Sequence, residues 1–148
     1  MLLTGLLPDI TTDPAIETAT DSLEVGRSGT IVAPVGIRPP LLAAVASRAA
    51  TPLVVLTATG RDAETLTNAL ASWIPGVAML PAWETLPHER LSPQVDTMAR
   101  RIAVLRRLVH PIKGDDSAGP ISVLVVPIRA FLQPIISGLA DLEPVRVR

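Results

Sequence analysis

Leu53-Val54-Val55-Leu56-Thr57-Ala58-Thr59-Gly60-Arg61-Asp62-Ala63-Glu64-Thr65-Leu66-Thr67-Asn68-Ala69-Leu70-Ala71-Ser72-Trp73 is the stretch that decides the fold class. Its opening run, Leu53 to Thr57, is apolar without period-two alternation, the pattern of a strand covered on both faces. The residues that follow change period. Ala63, Leu66, Leu70 and Trp73 recur at three- and four-residue steps, which lines one face of a helix, and Thr59 or Asp62 can cap its start. A strand running straight into a helix is the unit from which parallel sheets are built.

The same alternation extends in both directions from Gly29 onward. Thr30 to Ala33, Val77 to Leu80 and Ser122 to Val126 read as further buried strands. Leu41, Leu42, Val45 and Ala49 mark a helix opened by Pro39-Pro40. A third helix has Ser92 as cap and Pro93 in its first turn, with Val95, Met98, Ile102, Leu105 and Val109 as its apolar face. Its other side carries Asp96, Arg100 and Arg107, with Asp96 four residues before Arg100 and the arginines placed to complement the helix dipole. Arg100 and Arg107 either solvate this face or dock a partner. The expected architecture is an α/β lobe of three layers around a parallel sheet.

Residues 1–28 read as a variable lead-in, where Asp13 can cap a short helix that begins at Pro14. Residues 29–148 read as the lobe. Lys113-Gly114-Asp115-Asp116-Ser117-Ala118-Gly119-Pro120 has the composition of a flexible surface loop, and a short helix is expected over Ile128 to Leu132. The closing Leu142-Glu143-Pro144-Val145-Arg146-Val147-Arg148 reads as an extended segment without cap or polar tail, the cut edge of a longer protein.

A length of 148 residues suits one domain with a real core. With 48% hydrophobic and 18% charged residues, the chain is too apolar to be disordered. Its aromatic residues are Phe131, Trp73 and Trp83, with no tyrosine, which argues against a base-stacking platform for single-stranded nucleic acid. A formal net charge of -1 provides no overall basic field for a phosphate backbone. The absence of cysteine removes disulfides, thiolate nucleophiles and thiolate zinc sites, and suits a cytoplasmic protein. The N-terminus lacks a basic signal-peptide region, and no stretch has the apolar length of a membrane helix.

Phosphate-binding chemistry can be tested residue by residue. A phosphate loop needs glycines so that backbone N–H groups can wrap the anion, a lysine to neutralise it, and a Ser or Thr for magnesium. At the first strand-to-helix turn the chain reads Ile31-Val32-Ala33-Pro34-Val35-Gly36-Ile37-Arg38-Pro39-Pro40. Gly36 is its one glycine, the prolines remove donors, and Pro39 follows Arg38 where Ser or Thr should follow lysine. The only lysine of the whole chain is Lys113. Arg38 either meets an anion at the helix start or is simply solvated. A dinucleotide site fails in the same way, for want of its glycine-rich turn.

The other conspicuous cluster is Trp83-Glu84-Thr85-Leu86-Pro87-His88-Glu89-Arg90-Leu91-Ser92-Pro93. Glu84, His88 and Glu89 could exchange protons if their pKa values were held apart. A structural turn accounts for them better, with Trp83 as an apolar plug and Glu89 paired to an arginine. His88 and His110 are the only histidines and lack metal-site spacing. Arg100, Arg101, Arg106 and Arg107 could form a nucleic-acid surface, although Arg106 projects close to the apolar stripe and breaks the row.

That cluster, with Asp96-Thr97 and Arg101-Ile102-Ala103-Val104-Leu105, is similar to the N-terminal module of bacterial transcription-repair coupling factors, the Mfd family, particularly of actinobacterial type. Leu53 to Arg61 and Val125-Val126-Pro127-Ile128-Arg129-Ala130-Phe131-Leu132-Gln133-Pro134 support the resemblance, which spans about residues 29–145. It implies a degenerate RecA-type, UvrB-like ATPase lobe whose phosphate loop has decayed to Gly36, Arg38 and Pro39. It implies no catalytic residue, no metal and no cofactor in this chain. In the family, ATP and magnesium serve separate motor domains that translocate on DNA and displace stalled RNA polymerase, and UvrA is recruited through an adjacent lobe. The implied role of this chain is a scaffold for UvrA docking and for intramolecular autoinhibition in nucleotide excision repair. The competing readings are a Rossmann-like enzyme using Glu84, His88 and Glu89, and a nucleic-acid-binding module using the arginines.

Overall fold

A computed structural model describes residues 3–21, 28–84 and 94–142. Its helices are α1 (Leu7–Thr11), α2 (Pro14–Asp21), α3 (Arg38–Arg48), α4 (Gly60–Leu70), α5 (Val95–Val109) and α6 (Ile128–Phe131). Its strands are β1 (Leu53–Thr57), β2 (Val77–Met79) and β3 (Val123–Pro127), joined in the order β1-β3-β2. Both pairings are parallel, with Val55 opposite Val125 and Val125 opposite Met79. Parallel neighbours require crossovers, and α4 and α5 lie in those connections.

Every residue of β3 is buried, so alternation along it builds two cores. Val123 and Val125 face one side, with Leu7, Ala43, Ala46, Ala63, Leu70 and Ile74. Leu124 and Val126 face the other, with Ala78, Leu80, Val104, Ile121 and Ala130. This is the expected three-layer α/β lobe. Few aromatics are available to fill it, and alanines such as Ala43 and Ala63, both 0% exposed, let the helices close on the sheet.

Local chemistry explains the element starts. The Thr59 hydroxyl accepts from the Asp62 N–H at 3.1 Å and donates to the Asp62 carboxylate at 2.7 Å, fixing the first turn of α4. The Ala15 N–H donates to the Asp13 carboxylate at 2.8 Å, so Asp13-Pro14 opens α2 as read from sequence. Gly76 is required before β2. Its φ is +75°, and a Cβ there would meet the Pro120 carbonyl at 2.8 Å. The loop expected to be flexible is a tied turn instead. One Asp115 carboxylate oxygen accepts from the Ser117 N–H, the Ser117 hydroxyl and the Ala118 N–H at 2.7–2.9 Å.

Four expectations are corrected. Thr30 to Ala33 is not a strand: it lies outside the sheet, and Val32 is 94% exposed. Apolar content marks a segment that would pair, but not whether an edge is there to receive it. Nor is β1 covered on both faces, because Val54 and Leu56 are about half exposed while Leu53 and Val55 pack inward. The third helix begins at Val95 with Gln94 in the cap position, past the expected cap and first-turn proline, Ser92 and Pro93, which lie outside the described residues. Its buried face is Thr97, Arg101, Val104 and Leu105, whereas Val95, Met98 and Val109 are exposed. The period was right and the phase was off by part of a turn, because a long cation occupies an inner position.

Candidate functional site

The turn where a phosphate loop would lie leads into α3 through a short 3-10 turn, Val35–Ile37, with Pro34 in its cap position. Gly36 and Arg38 are exposed and Pro39 is half-buried. Arg38 is the first residue of α3, and the capping position before it, Ile37, offers no side-chain hydrogen bond. Prolines 39 and 40 take two of the first three α3 positions, where backbone N–H groups would otherwise be free to bind an anion. Lys113 is exposed in the turn after α5.

The second candidate region centres on Trp83 and Glu84, whose backbone is held from two sides. The Trp83 N–H donates to the Gln133 side-chain oxygen at 2.7 Å, and the Gln133 amide donates back to the Trp83 carbonyl at 3.2 Å. Arg129 donates to the Glu84 carbonyl at 3.2 Å. From α5, the Thr97 hydroxyl donates to the Glu84 carboxylate. That bond is the leading cause of a Glu84 pKa held below its ordinary value, and Arg129 acts in the same direction. A general acid at neutral pH needs the opposite shift. Pro87, His88, Glu89, Ser92 and Pro93 lie outside the described residues.

Trp83 is half-buried and is not the fully enclosed plug its surroundings in sequence suggested. The enclosed residue is its neighbour. Arg101 is 0% exposed, its guanidinium carbon stands 4.6 Å from the centre of the Trp83 ring, and its Nη1 donates to the Pro81 carbonyl at 2.6 Å. Its Nε has no hydrogen-bond partner among the described residues. Burial pushes the Arg101 pKa down from its ordinary value, and an arginine so placed still carries its charge. Arg101 therefore locks the strand exit at Pro81 and the Trp83 ring onto α5 by a cation–π contact and a charge-assisted hydrogen bond. Sequence reading grouped it with surface arginines. The signal was its spacing, four residues after Thr97 and four before Leu105, on the face that turns inward.

The other arginines are separated by environment. Arg100 is exposed and pairs with Asp96 at 2.9 Å, as their spacing predicts. Arg107 is half-buried and donates to the Gly119 carbonyl at 2.8 Å, while Arg106 donates to the Leu142 carbonyl at 3.0 Å. With Arg101 buried, the four do not form one basic row, and the nucleic-acid reading loses its surface. His110 pairs with Asp141 at 2.7 Å. Among the described residues no group of three or more His, Asp or Glu could hold a metal, and no helix is long and apolar enough to cross a membrane.

No family model matches this chain. It is 48% identical over 118 residues to the transcription-repair-coupling factor of Mycobacterium bovis, and equally to that of Mycobacterium tuberculosis. The match takes in 78% of this chain and 9% of each relative, so the chain spans only a small part of their length. Identity of that level over most of the chain identifies it as a segment belonging to the transcription-repair-coupling factor family.

Proposed function

We propose that this chain is a non-catalytic lobe of a transcription-repair coupling factor, a degenerate UvrB-like ATPase domain that serves as scaffold. In the longer protein, motor domains using ATP and magnesium drive translocation on DNA and displace stalled RNA polymerase in the cytoplasm. This lobe supports the neighbouring lobe that docks UvrA and helps hold the protein in a resting state. The observation that carries the non-catalytic reading is the chemistry at the start of α3. One glycine, prolines at 34, 39 and 40, and no lysine anywhere but Lys113 leave this turn without the backbone donors and the lysine that hold a triphosphate, with Arg38 as its one cation.

Calorimetry with ATP and magnesium should detect no binding to the 148-residue chain, and phosphate release should stay at the buffer rate. Saturable binding or turnover would overturn the reading. UvrA capture by this chain, compared with the same chain extended into the following lobe, tests the scaffold role: capture is expected with the extended form alone.

A further inference from the structure

Helix α5 buries Thr97, Arg101, Val104 and Leu105, and its opposite side is built in two rows. Ala99, Ala103 and Arg107 follow one another at four-residue steps, and Ile102, Arg106 and His110 form the neighbouring row. Along the helix, this side is therefore apolar first and cationic afterwards. It forms one side of an open groove of about 650 Å³, closed by Ile112, Ser117 and Ala118 of the turn after α5 and by Leu142. Ile112 and Leu142 are 45% and 52% exposed, so these walls present apolar surface to solvent.

The cations of the groove are only partly used. Arg106 and Arg107 are half-buried, and each spends one N–H on a neutral backbone carbonyl, Arg106 through Nη1 on Leu142 and Arg107 through Nε on Gly119. Among the described residues neither has a carboxylate partner. A guanidinium holds its donors in a planar fork that matches a carboxylate through two parallel bonds, and the rest of each fork is open to such a partner. No acidic residue lines the groove. Asp141 is taken by His110, and Asp115 by Ser117 and Ala118. A place near the end of α5 suits the helix dipole and accounts for the charges, but not for their half-burial among apolar side chains.

We propose that this groove docks a short acidic peptide segment of a partner protein, with apolar residues against Ala99, Ile102 and Ala103 and carboxylates against Arg106 and Arg107. The order along α5 sets the direction of the occupant, its apolar anchor toward the start of the helix and its carboxylates toward the end. Its volume lies within the roughly 300–1,000 Å³ of compact ligand sites. Two arginines beside an apolar floor, with no aromatic face in the lining, suit a carboxylate peptide better than a nucleic-acid backbone. Of the two arginines that sequence offered for docking, Arg107 keeps that role, while Arg100 is spent on Asp96. The inference is independent of the proposed scaffold role, which runs through the neighbouring lobe.

Fluorescence anisotropy tests it, with the 148-residue chain titrated into a labelled peptide whose core is Leu-Leu-Glu-Glu and into a second with Gln in place of Glu. The acidic peptide should bind saturably and at least about 10-fold tighter than its Gln counterpart, and the difference should shrink as salt is raised. Ala103 is exposed on the helix, so substitution there spares the core. Ala103→Glu sets a carboxylate four residues before Arg107 and should weaken the acidic peptide at least about 10-fold while the melting temperature holds. Ala103→Gln, of the same size without the charge, should weaken it less than about 3-fold. Equal binding of the two peptides, equal losses in the two variants, or no saturable binding overturns the proposal. So does tighter binding of a duplex oligonucleotide than of the acidic peptide, which would make the groove a phosphate site.

Discussion

Replacing Arg101 separates packing from charge at the junction of α5 with the strand exit. Arg101→Ala empties a site that is 0% exposed, and large-to-small changes at such sites cost about 2–5 kcal/mol. It also removes a charge-assisted bond to the Pro81 carbonyl, worth about 1.5–3 kcal/mol, and the contact with the Trp83 ring, about 0.5–2 kcal/mol. Opposing these is relief from burying a cation whose Nε is unsatisfied, a penalty of several kcal/mol per ion. The terms overlap, and we expect a net loss of about 2–4 kcal/mol for Arg101→Ala. Arg101→Met keeps most of the volume and removes the charge, so its net effect should fall within about 1 kcal/mol of zero.

The difference between the two variants is better determined than either loss alone, because the overlapping terms cancel in it. Urea unfolding of the 148-residue chain, followed by tryptophan fluorescence, reads it directly. At this size the alanine variant should melt about 5–12 °C lower, and the methionine variant within about 3 °C of the parent. A double-mutant cycle with Trp83→Leu should return a coupling of about 0.5–2 kcal/mol. If Arg101→Met proved as damaging as Arg101→Ala, the charge itself would be holding the junction through an anionic partner, and packing against the Pro81 carbonyl and the Trp83 ring would not explain its stability.

Gly76→Ala forces a left-handed residue to carry a Cβ against the Pro120 carbonyl and Ser122, and should cost about 2–4 kcal/mol by urea denaturation; a loss below about 0.5 kcal/mol would mean the turn relaxes freely. Thr59→Ala removes the α4 cap and should cost about 1 kcal/mol in the same assay, with Thr59→Ser close to the parent. Glu84 has a folded pKa below its ordinary value of 4.5, so its bond with Thr97 stabilises the fold above that pH and is lost as pH falls through the lower folded value. A carboxyl titration by NMR should show the Glu84 midpoint moving back up in Thr97→Val; an unmoved midpoint would assign the shift to the backbone N–H groups of Glu84 and Gln94 and to Arg129 instead.

What could be read from sequence and what could not divides along one physical line: periodicity reports that a segment has an apolar side, and context decides where that side goes. Leu53 to Thr57 was legible to the residue, and Val77 and Ser122 to within one, because each run is short and bounded by turn residues. Of the two caps offered by sequence, Thr59 and Asp62, Thr59 takes the position because its hydroxyl has an orphan N–H three residues on. The inner face of α5 was misread because Val95, Met98 and Val109 are as apolar as any core residue, while the true inner row contains Thr97 and Arg101. A buried arginine looks solvated in sequence, since its acceptor is a carbonyl twenty residues away and its other partner an aromatic face. At the candidate site, the proposed loss of phosphate chemistry is argued from residue types alone, chiefly the single lysine. The junction of Trp83, Glu84, Thr97, Gln133 and Arg129 was not, because it joins three elements far apart in the chain.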